Sequence, residues 1–391
     1  MASTGSVAFG VASPDLHSTA GNAYTATDVA RAASDIEPGS IVRVEVSWAR
    51  VQPQCFTALG TVAPTRALCQ TPGPIDWTRG PGGAANEGIQ NDLDEIAPQL
   101  ASGQVKILLM VIQAPRWAWG RTDVADPNEA QAVMPPGDDT QALGWWRQFA
   151  QATVHWMETR YGPDSLAGLE VWNEPNLHKF WTVSFSSSPL PGLGAASIPK
   201  RYANVLCYAF RGARAADPQL PVIFAGLSAT GTDNGDAIDF LNAAYSAVSS
   251  GVDIRQCMTS IGMHPYNDLG GTFVPPDTPD SPLDTVMHSV DVASCAHGDC
   301  GRDVSITEFG YYPGLPKAGG QTVTLQDQAD WNAQAYDLMK NTPRLDMFVI
   351  YSLFNDVWAI CRHHGTDNPA PNELAQTISG DPSATVRCWA S

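Results

Sequence analysis

Short runs of β-branched and other apolar residues recur along the chain, each followed by a longer stretch whose apolar positions return every three to four residues. The first kind of run fits a buried strand and the second an amphipathic helix. The strand-like runs are Val7 to Val11, Ile41 to Trp48, Val105 to Gln113, Leu166 to Asn173, Pro221 to Leu227, Ser260 to His264, Asp303 to Glu308 and Leu345 to Leu353. The helical stretches centre on Thr27 to Ile36, Glu87 to Ala101, Leu143 to Tyr161, Lys200 to Ala216, Ala237 to Val248, Pro282 to Ala293 and Thr324 to Asn341. Alternation of this kind predicts βαβ units and a parallel sheet. Eight strands suggest that the sheet closes into an α/β fold of the (β/α)8 TIM barrel type, with a doubly wound open sheet as the alternative.

A bare barrel needs about 250 residues, and the chain has 391. The surplus falls in the connections after strands two, three, four and six: Ala49 to Ala85, Ala114 to Thr140, Asn176 to Ile198 and Asn267 to Ser281. These long loops all lie on the C-terminal face, where barrel enzymes keep their active sites. The tail 355–391 is too short for a domain of its own and is expected to wrap back on the barrel. With no internal repeat beyond the βα period and no linker, residues 1–391 are expected to form a single catalytic domain.

Composition narrows the function. Lys and Arg number 22 against 40 Asp and Glu, a formal charge of −18 with a pI near 4.6. Such a chain repels phosphate backbones, so nucleic acid is an unexpected partner. The longest apolar stretches, Ile107 to Ile112 and Met347 to Ile350, fall far short of the roughly 20 residues of a membrane span.

Eight cysteines form no Cys-x-x-Cys pair, which favours disulfides and hence an oxidising compartment over a thiolate metal site. Pairs that close short loops are Cys55 with Cys69, Cys295 with Cys300 and Cys361 with Cys388, leaving Cys207 for Cys257. Eight cysteines allow 105 connectivities, so other pairings stay open. The first residues carry no basic and apolar leader pattern. A secreted protein whose leader has been removed is the expectation.

Two segments carry chemistry. Leu169-Glu170-Val171-Trp172-Asn173-Glu174-Pro175-Asn176 ends the fourth strand and places Glu174 on the barrel rim, with the Asn173 amide beside it. Ser305-Ile306-Thr307-Glu308-Phe309-Gly310 places Glu308 at the end of the seventh. Two carboxyl groups then face one cleft. That is what glycosidic cleavage requires: one protonates the leaving oxygen and the other meets the oxocarbenium-like centre.

On these residues the chain resembles the retaining glycoside hydrolases of clan A, and within them glycoside hydrolase family 39 and its bacterial relatives, over most of its length. Trp172-Asn173-Glu174-Pro175-Asn176 is similar to that clan's fourth-strand signature, and the resemblance implies that Glu174 is the acid/base and that Asn173 contacts the sugar 2-hydroxyl. Thr307-Glu308-Phe309-Gly310 resembles the nucleophile motif. Ala114-Pro115-Arg116-Trp117-Ala118 resembles the Pro-x-Trp-Ala segment after strand three, and His264-Pro265-Tyr266 the sixth-strand motif. Arg43 falls where the clan often keeps an arginine near the nucleophile; a structural ion pair with Glu45 or a neighbouring strand is the alternative. One departure concerns the Trp that the clan places at the end of strand eight. This chain has Tyr351-Ser352-Leu353-Phe354-Asn355-Asp356 before Trp358, and Phe354 or Trp358 is expected to substitute.

Independently of family, a hydrogen bond from Tyr266 to the nucleophile would favour its ionised form, while the acid needs the opposite environment. Trp48, Trp117, Trp119, Trp181 and Tyr311 are loop or rim aromatics that could stack on sugar faces, with ordinary packing the commoner role for any one of them. His363-His364 with Asp367 fix no third ligand by spacing, so no metal is expected. Gly80-Pro81-Gly82-Gly83 has no following Lys-Ser or Lys-Thr to make it a phosphate loop, and there is no Gly-x-Ser-x-Gly elbow. The expectation is a retaining glycosidase without cofactor, acting on an oligo- or polysaccharide. The alternatives are a carbohydrate-binding barrel without catalysis and a metal-dependent hydrolase. Neutral or basic glycans suit the acidic surface. The sugar, the linkage, endo or exo action and the oligomeric state stay open.

Overall fold

The computed structural model describes residues 7–16, 24–63, 68–80, 84, 87–119, 134–181, 198–229, 236–247, 252–354, 359–361 and 368–388. Eight parallel strands close into a barrel: β1 (Ala8–Ala12), β2 (Ser40–Ser47), β3 (Val105–Ile112), β4 (Leu166–Asn173), β5 (Val222–Ser228), β6 (Ser260–His264), β7 (Asp303–Phe309) and β8 (Leu345–Tyr351). Each pairs with its neighbour in sequence, and β8 closes on β1 with Ala8 opposite Met347 and Ala12 opposite Tyr351. Closure excludes the open doubly wound sheet.

The surrounding helices are α1 (Ala26–Ile36), α2 (Ile89–Glu95, resuming over Ala97–Ala101), α3 (Thr140–Tyr161), α4 (Ile198–Ala216), α5 (Ala237–Ser246), α6 (Pro282–Ala296), α7 (Leu325–Met339) and α8 (Ala370–Ser379). Local chemistry sets several starts. Thr25 with Asp28, and Thr324 with Asp327, form capping boxes that satisfy the first-turn amides of α1 and α7. Asp139 caps α3, and Ser281 caps α6 with Pro282 in the first turn. The break in α2 falls at Ile96, just before Pro98, which has no N–H to return to the preceding turn.

The tail carries an eighth helix, which its sequence pattern did not announce. α8 packs on α7 and α1 and so completes the ring. Ala370, Leu374 and Ala375 form its buried face, and left-handed Gly380 (φ 71°) ends it. Arg387 beyond it reaches Asp35 of α1 at 2.8 Å, and Cys361 bonds Cys388. The other disulfides are Cys55–Cys69, Cys207–Cys257 and Cys295–Cys300, so all four expected pairings are present.

Because strand side chains alternate, each strand feeds two cores. Outward positions such as Val42, Leu109, Val171 and Phe224 pack against the helices. Inward positions Ala12, Ile41, Leu108, Ile223, Met347 and Val349 fill the barrel itself. Each large apolar side chain so buried contributes about 1.5–3 kcal/mol relative to exposure. This apolar plug separates two polar ends: Ser260, Ser305 and Asp346 at the N-terminal base, and a charged cluster at the C-terminal mouth.

Candidate active site

The mouth is organised by Arg43 of β2, a buried charge. Its guanidinium donates Nε–H to Glu170 Oε2 at 2.5 Å, one terminal nitrogen to Glu308 Oε1 at 2.7 Å and the other to Asn173 Oδ1 at 2.8 Å. Arginine's planar fork suits such multiple recognition. Its ion-pair partners are Glu170 and Glu308, not Glu45. A lone buried charge would be costly, and here it meets two carboxylates in hydrogen-bonding geometry.

Glu174 is aimed by an irregular strand end. Trp172 and Glu174 both adopt positive φ, 80° and 36°, a conformation that costs non-glycine residues about 1–3 kcal/mol and clusters at functional sites. The kink at Trp172 takes its indole out of the strand alternation into a cluster with Trp146 and Trp181. Asn173 consequently faces Arg43. Asn176, the last residue of the motif, makes a two-way amide bond with Ser228 on β5: Nδ2 donates to Ser228 O at 2.9 Å and Oδ1 accepts from Ser228 N at 3.1 Å. The loop bearing Glu174 is thereby tied to the next strand.

The two carboxyl groups converge. Glu174 Oε1 lies 3.0 Å from His264 Nδ1, which is also 3.5 Å from Glu308 Oε2, and one polar atom from each of the three residues lies within 4.8 Å of the others. Tyr266 donates its hydroxyl to Glu308 Oε2 at 2.7 Å. Burial and the nearby Glu308 charge hold that phenol well above the ordinary range, so it stays a donor. Lys179, on the turn after β4, stands 3.6 Å from Glu174 Oε2. Burial pushes the Glu174 carboxyl up, while the hydrogen bond and charge of a cationic His264, then Lys179 and Arg43, pull it below its ordinary value. The His264 part of that pull requires a proton at Nδ1, whereas the charges of Lys179 and Arg43 act without it.

Such a trio also has the donor set of a metal site. The oxygens are already engaged, however, by Arg43 and Tyr266 on Glu308 and by Lys179 on Glu174, and the two cations oppose a divalent ion. His363, His364 and Asp367 lie outside the described residues.

The structure brings together Arg43, Asn173, Glu174, His264, Tyr266 and Glu308. It does not bring the aromatics with them. Trp48 is fully buried against Trp117, Trp146 and Phe149, with its N–H on Gln52. Trp117 packs on Trp145 and donates to Gln52 O, and Trp119 donates to Ala114 O. Trp181 packs between Trp172 and Tyr202. Tyr311 is buried against Trp331 with its hydroxyl on Val274 O. These five rings complete the core beneath the loops, because loop aromatics here cover apolar strand ends, so they are not exposed rim platforms. Phe354 stacks on Tyr24 at 4.8 Å and is likewise buried. Trp358 lies outside the described residues. Among the described residues, Tyr351 joins Tyr266 as an aromatic at the mouth, half-buried above the barrel plug and edge-on to Tyr266 at 6.5 Å.

Three further residues escape a motif-based reading. Glu170 sits four positions before Glu174, where strand alternation would have pointed it inward toward Arg43. Thr307 precedes Glu308, and its hydroxyl bridges Glu170 Oε1 at 2.8 Å and His264 Nε2 at 3.0 Å. Lys179 gave no periodic signal.

Among solved structures, the chain is similar to a glucosidase from Croceicoccus marinus (TM-score 0.56, 14% identity, covering 96% of this chain and 68% of that one). It is similar also to a monomeric beta-xylosidase from Caulobacter crescentus (0.56, 16%, 97% and 69%). An endo-1,4-beta-mannanase from Rhizomucor miehei aligns over 97% of both chains (0.53, 13%). No protein-family model and no curated protein sequence matches. At these identities the likeness carries the fold: a TIM barrel of the kind found in glycosidases.

Proposed function

We propose that this protein is a retaining glycoside hydrolase of clan A that cleaves an oligo- or polysaccharide by double displacement. The observation that carries this reading is the pair of facing carboxyl groups, Glu174 and Glu308, with one oxygen of each within 4.8 Å. Retaining enzymes hold their carboxyl groups about 5–5.5 Å apart, whereas inverting ones leave about 6.5–9.5 Å for a water.

In the first step Glu308 attacks the anomeric carbon while Glu174 gives its proton to the departing oxygen. In the second, Glu174 takes a proton from water, which displaces Glu308 with a second inversion. Arg43 and Tyr266 orient Glu308 and disperse its charge. Asn173, held through Oδ1 by Arg43, keeps its amide N–H groups for the sugar 2-hydroxyl. Tyr351, rather than Phe354, lies where a ring could floor the sugar site. No step needs a cofactor. The motifs quoted above favour family 39 as the particular family, the disulfides favour secretion, and residues 1–391 are taken as one catalytic domain.

The test is a panel of aryl glycosides and polysaccharides with Glu174→Ala and Glu308→Ala. Azide should rescue Glu174→Ala on an activated aryl glycoside and yield the azide of retained configuration, and rescue Glu308→Ala with inversion. The reverse pattern would exchange the roles. Wild-type protein silent on the whole panel but binding its polysaccharides would make this a non-catalytic carbohydrate-binding barrel.

A further inference from the structure

Behind the two carboxyl groups runs a hydrogen-bond chain whose polarity is fixed from one end. Glu170 Oε2 accepts from Arg43, and its Oε1 accepts the Gly226 amide at 3.0 Å. With a guanidinium and an amide on it, this carboxylate is an acceptor, so the Thr307 hydroxyl at 2.8 Å must donate to it. A hydroxyl has one proton. Having spent it on Glu170, Thr307 can only accept from His264 Nε2 at 3.0 Å. Were the hydroxyl turned toward the imidazole instead, two bare oxygens would face each other at 2.8 Å.

The ring cannot easily escape this arrangement. His264 is completely buried, and Gly226 makes room for it: a Cβ at position 226 would stand 1.9 Å from Nε2. The histidine proton of the neutral ring is therefore held on Nε2. Its Nδ1 presents a lone pair to Glu174 Oε1 at 3.0 Å and Glu308 Oε2 at 3.5 Å. A lone pair facing two carboxylates is repulsive unless a proton lies between.

The geometry points to Thr307 as a positioning residue, which with Glu170 fixes His264 as a proton acceptor toward Glu174, so that the Glu174–His264 pair stores the one proton delivered to the glycosidic oxygen. This rests on the glycosidase reading. The proton moves from Glu174 Oε1, or from Nδ1 through Oε1, to the leaving oxygen as the C–O bond breaks, and returns from the attacking water in the second step. Because the pair shares it, its titration belongs to both groups. The charged and titratable groups facing the pair are Glu308 and Arg43 within the mouth, Tyr266 on the loop after β6 and Lys179 on the turn after β4.

Thr307→Val removes the hydroxyl at nearly constant shape. The neutral proton should then move to Nδ1, beside the two carboxylates, and support an ionised Glu174 without any shared proton. Two measurements read this. In wild-type protein labelled with 15N-histidine, NMR should place the neutral-state proton of His264 on Nε2, and in Thr307→Val on Nδ1. Turnover of substrates with poor leaving groups should fall roughly tenfold or more on the alkaline side, as loss of general acid catalysis does. The alkaline limb of kcat/KM should move to lower pH, with activated aryl substrates little affected. Thr307→Ser should restore both.

An Nδ1–H tautomer in wild-type protein would overturn the proposal. So would equal losses on good and poor leaving groups with an unmoved pH limb, which is what a merely structural threonine would give. The NMR arm needs no turnover, so a barrel that cleaves no glycoside would sink the glycosidase reading while leaving the tautomer assignment to be judged separately.

Discussion

Asp346 offers a sharp test of the barrel's energetics because it lies at the base, remote from the mouth. It is the second residue of β8 and accepts the Ser305 hydroxyl at 2.6 Å, which in turn meets Ser260 Oγ at 2.7 Å. Burial raises its carboxyl to about 6 from 3.8, with the Asp303 charge adding to the rise and the serine bonds opposing it. The folded state thus binds the proton more tightly than the unfolded chain. Stability contributed by the protonated form is fully present below pH 4 and is lost as pH rises through about 6. A shift of about two units corresponds to about 3 kcal/mol, which partial exposure and the altered serine bonds reduce to about 1–2 kcal/mol for Asp346→Asn above pH 6. Unfolding entropy of about 2.1 cal/mol/K per residue converts this to a Tm gain of about 1–3 °C for a chain of this size. Calorimetry of both proteins from pH 4 to 7 should show the two curves coinciding at the acid end and the variant melting higher at pH 7, with glycosidase activity retained. A difference independent of pH, or a variant less stable at pH 7, would refute the reasoning.

Three more outcomes are expected. Gly226→Ala should push His264 out of place and cost turnover by about a hundredfold, the scale of a displaced catalytic constellation, while circular dichroism shows a folded barrel. Tyr266→Phe removes one of the donors on Glu308 and should lower kcat/KM with a smaller change in KM, measured on an activated aryl glycoside. Replacing Cys361 and Cys388 by serine should lower stability by about 2–4 kcal/mol and expose the segment after α8 to proteolysis first, read by mass spectrometry of the fragments.

The barrel was legible because closed parallel sheets bury both faces of every strand, and that leaves apolar runs with a regular spacing. The α8 helix was not, although Pro371 and Gly380 mark its start and end, because its short apolar face lies in a segment rich in polar residues. The convergence of Glu174 and Glu308 on one mouth was legible from chemistry carried on single positions: a Glu before Pro at a strand end, and another after Thr. Arg43 was picked out by the resemblance to clan A, since its strand carries a second charge, Glu45, that pattern alone does not tell apart from it. Glu170 and Thr307 have the same inward direction but sit inside motifs whose neighbours draw attention, and their meaning emerges only when three strands are laid side by side. Sequence alone left the aromatics divided between packing and the cleft for a physical reason: Trp and Tyr satisfy their polar atoms on nearby carbonyls, as Trp117 does on Gln52 and Tyr311 on Val274. A ring in a loop therefore serves the core as readily as a cleft.

The central claim is that Glu308 forms the covalent bond to the sugar while Glu174 manages the proton. It is tested most directly by trapping the intermediate with the 2-deoxy-2-fluoro analogue of whichever activated glycoside the panel identifies, followed by peptide mass spectrometry. The account predicts one sugar per chain, attached to the peptide bearing Glu308 and absent from Glu308→Ala. A sugar on Glu174 would contradict it, as would burst-free turnover giving a product of inverted configuration.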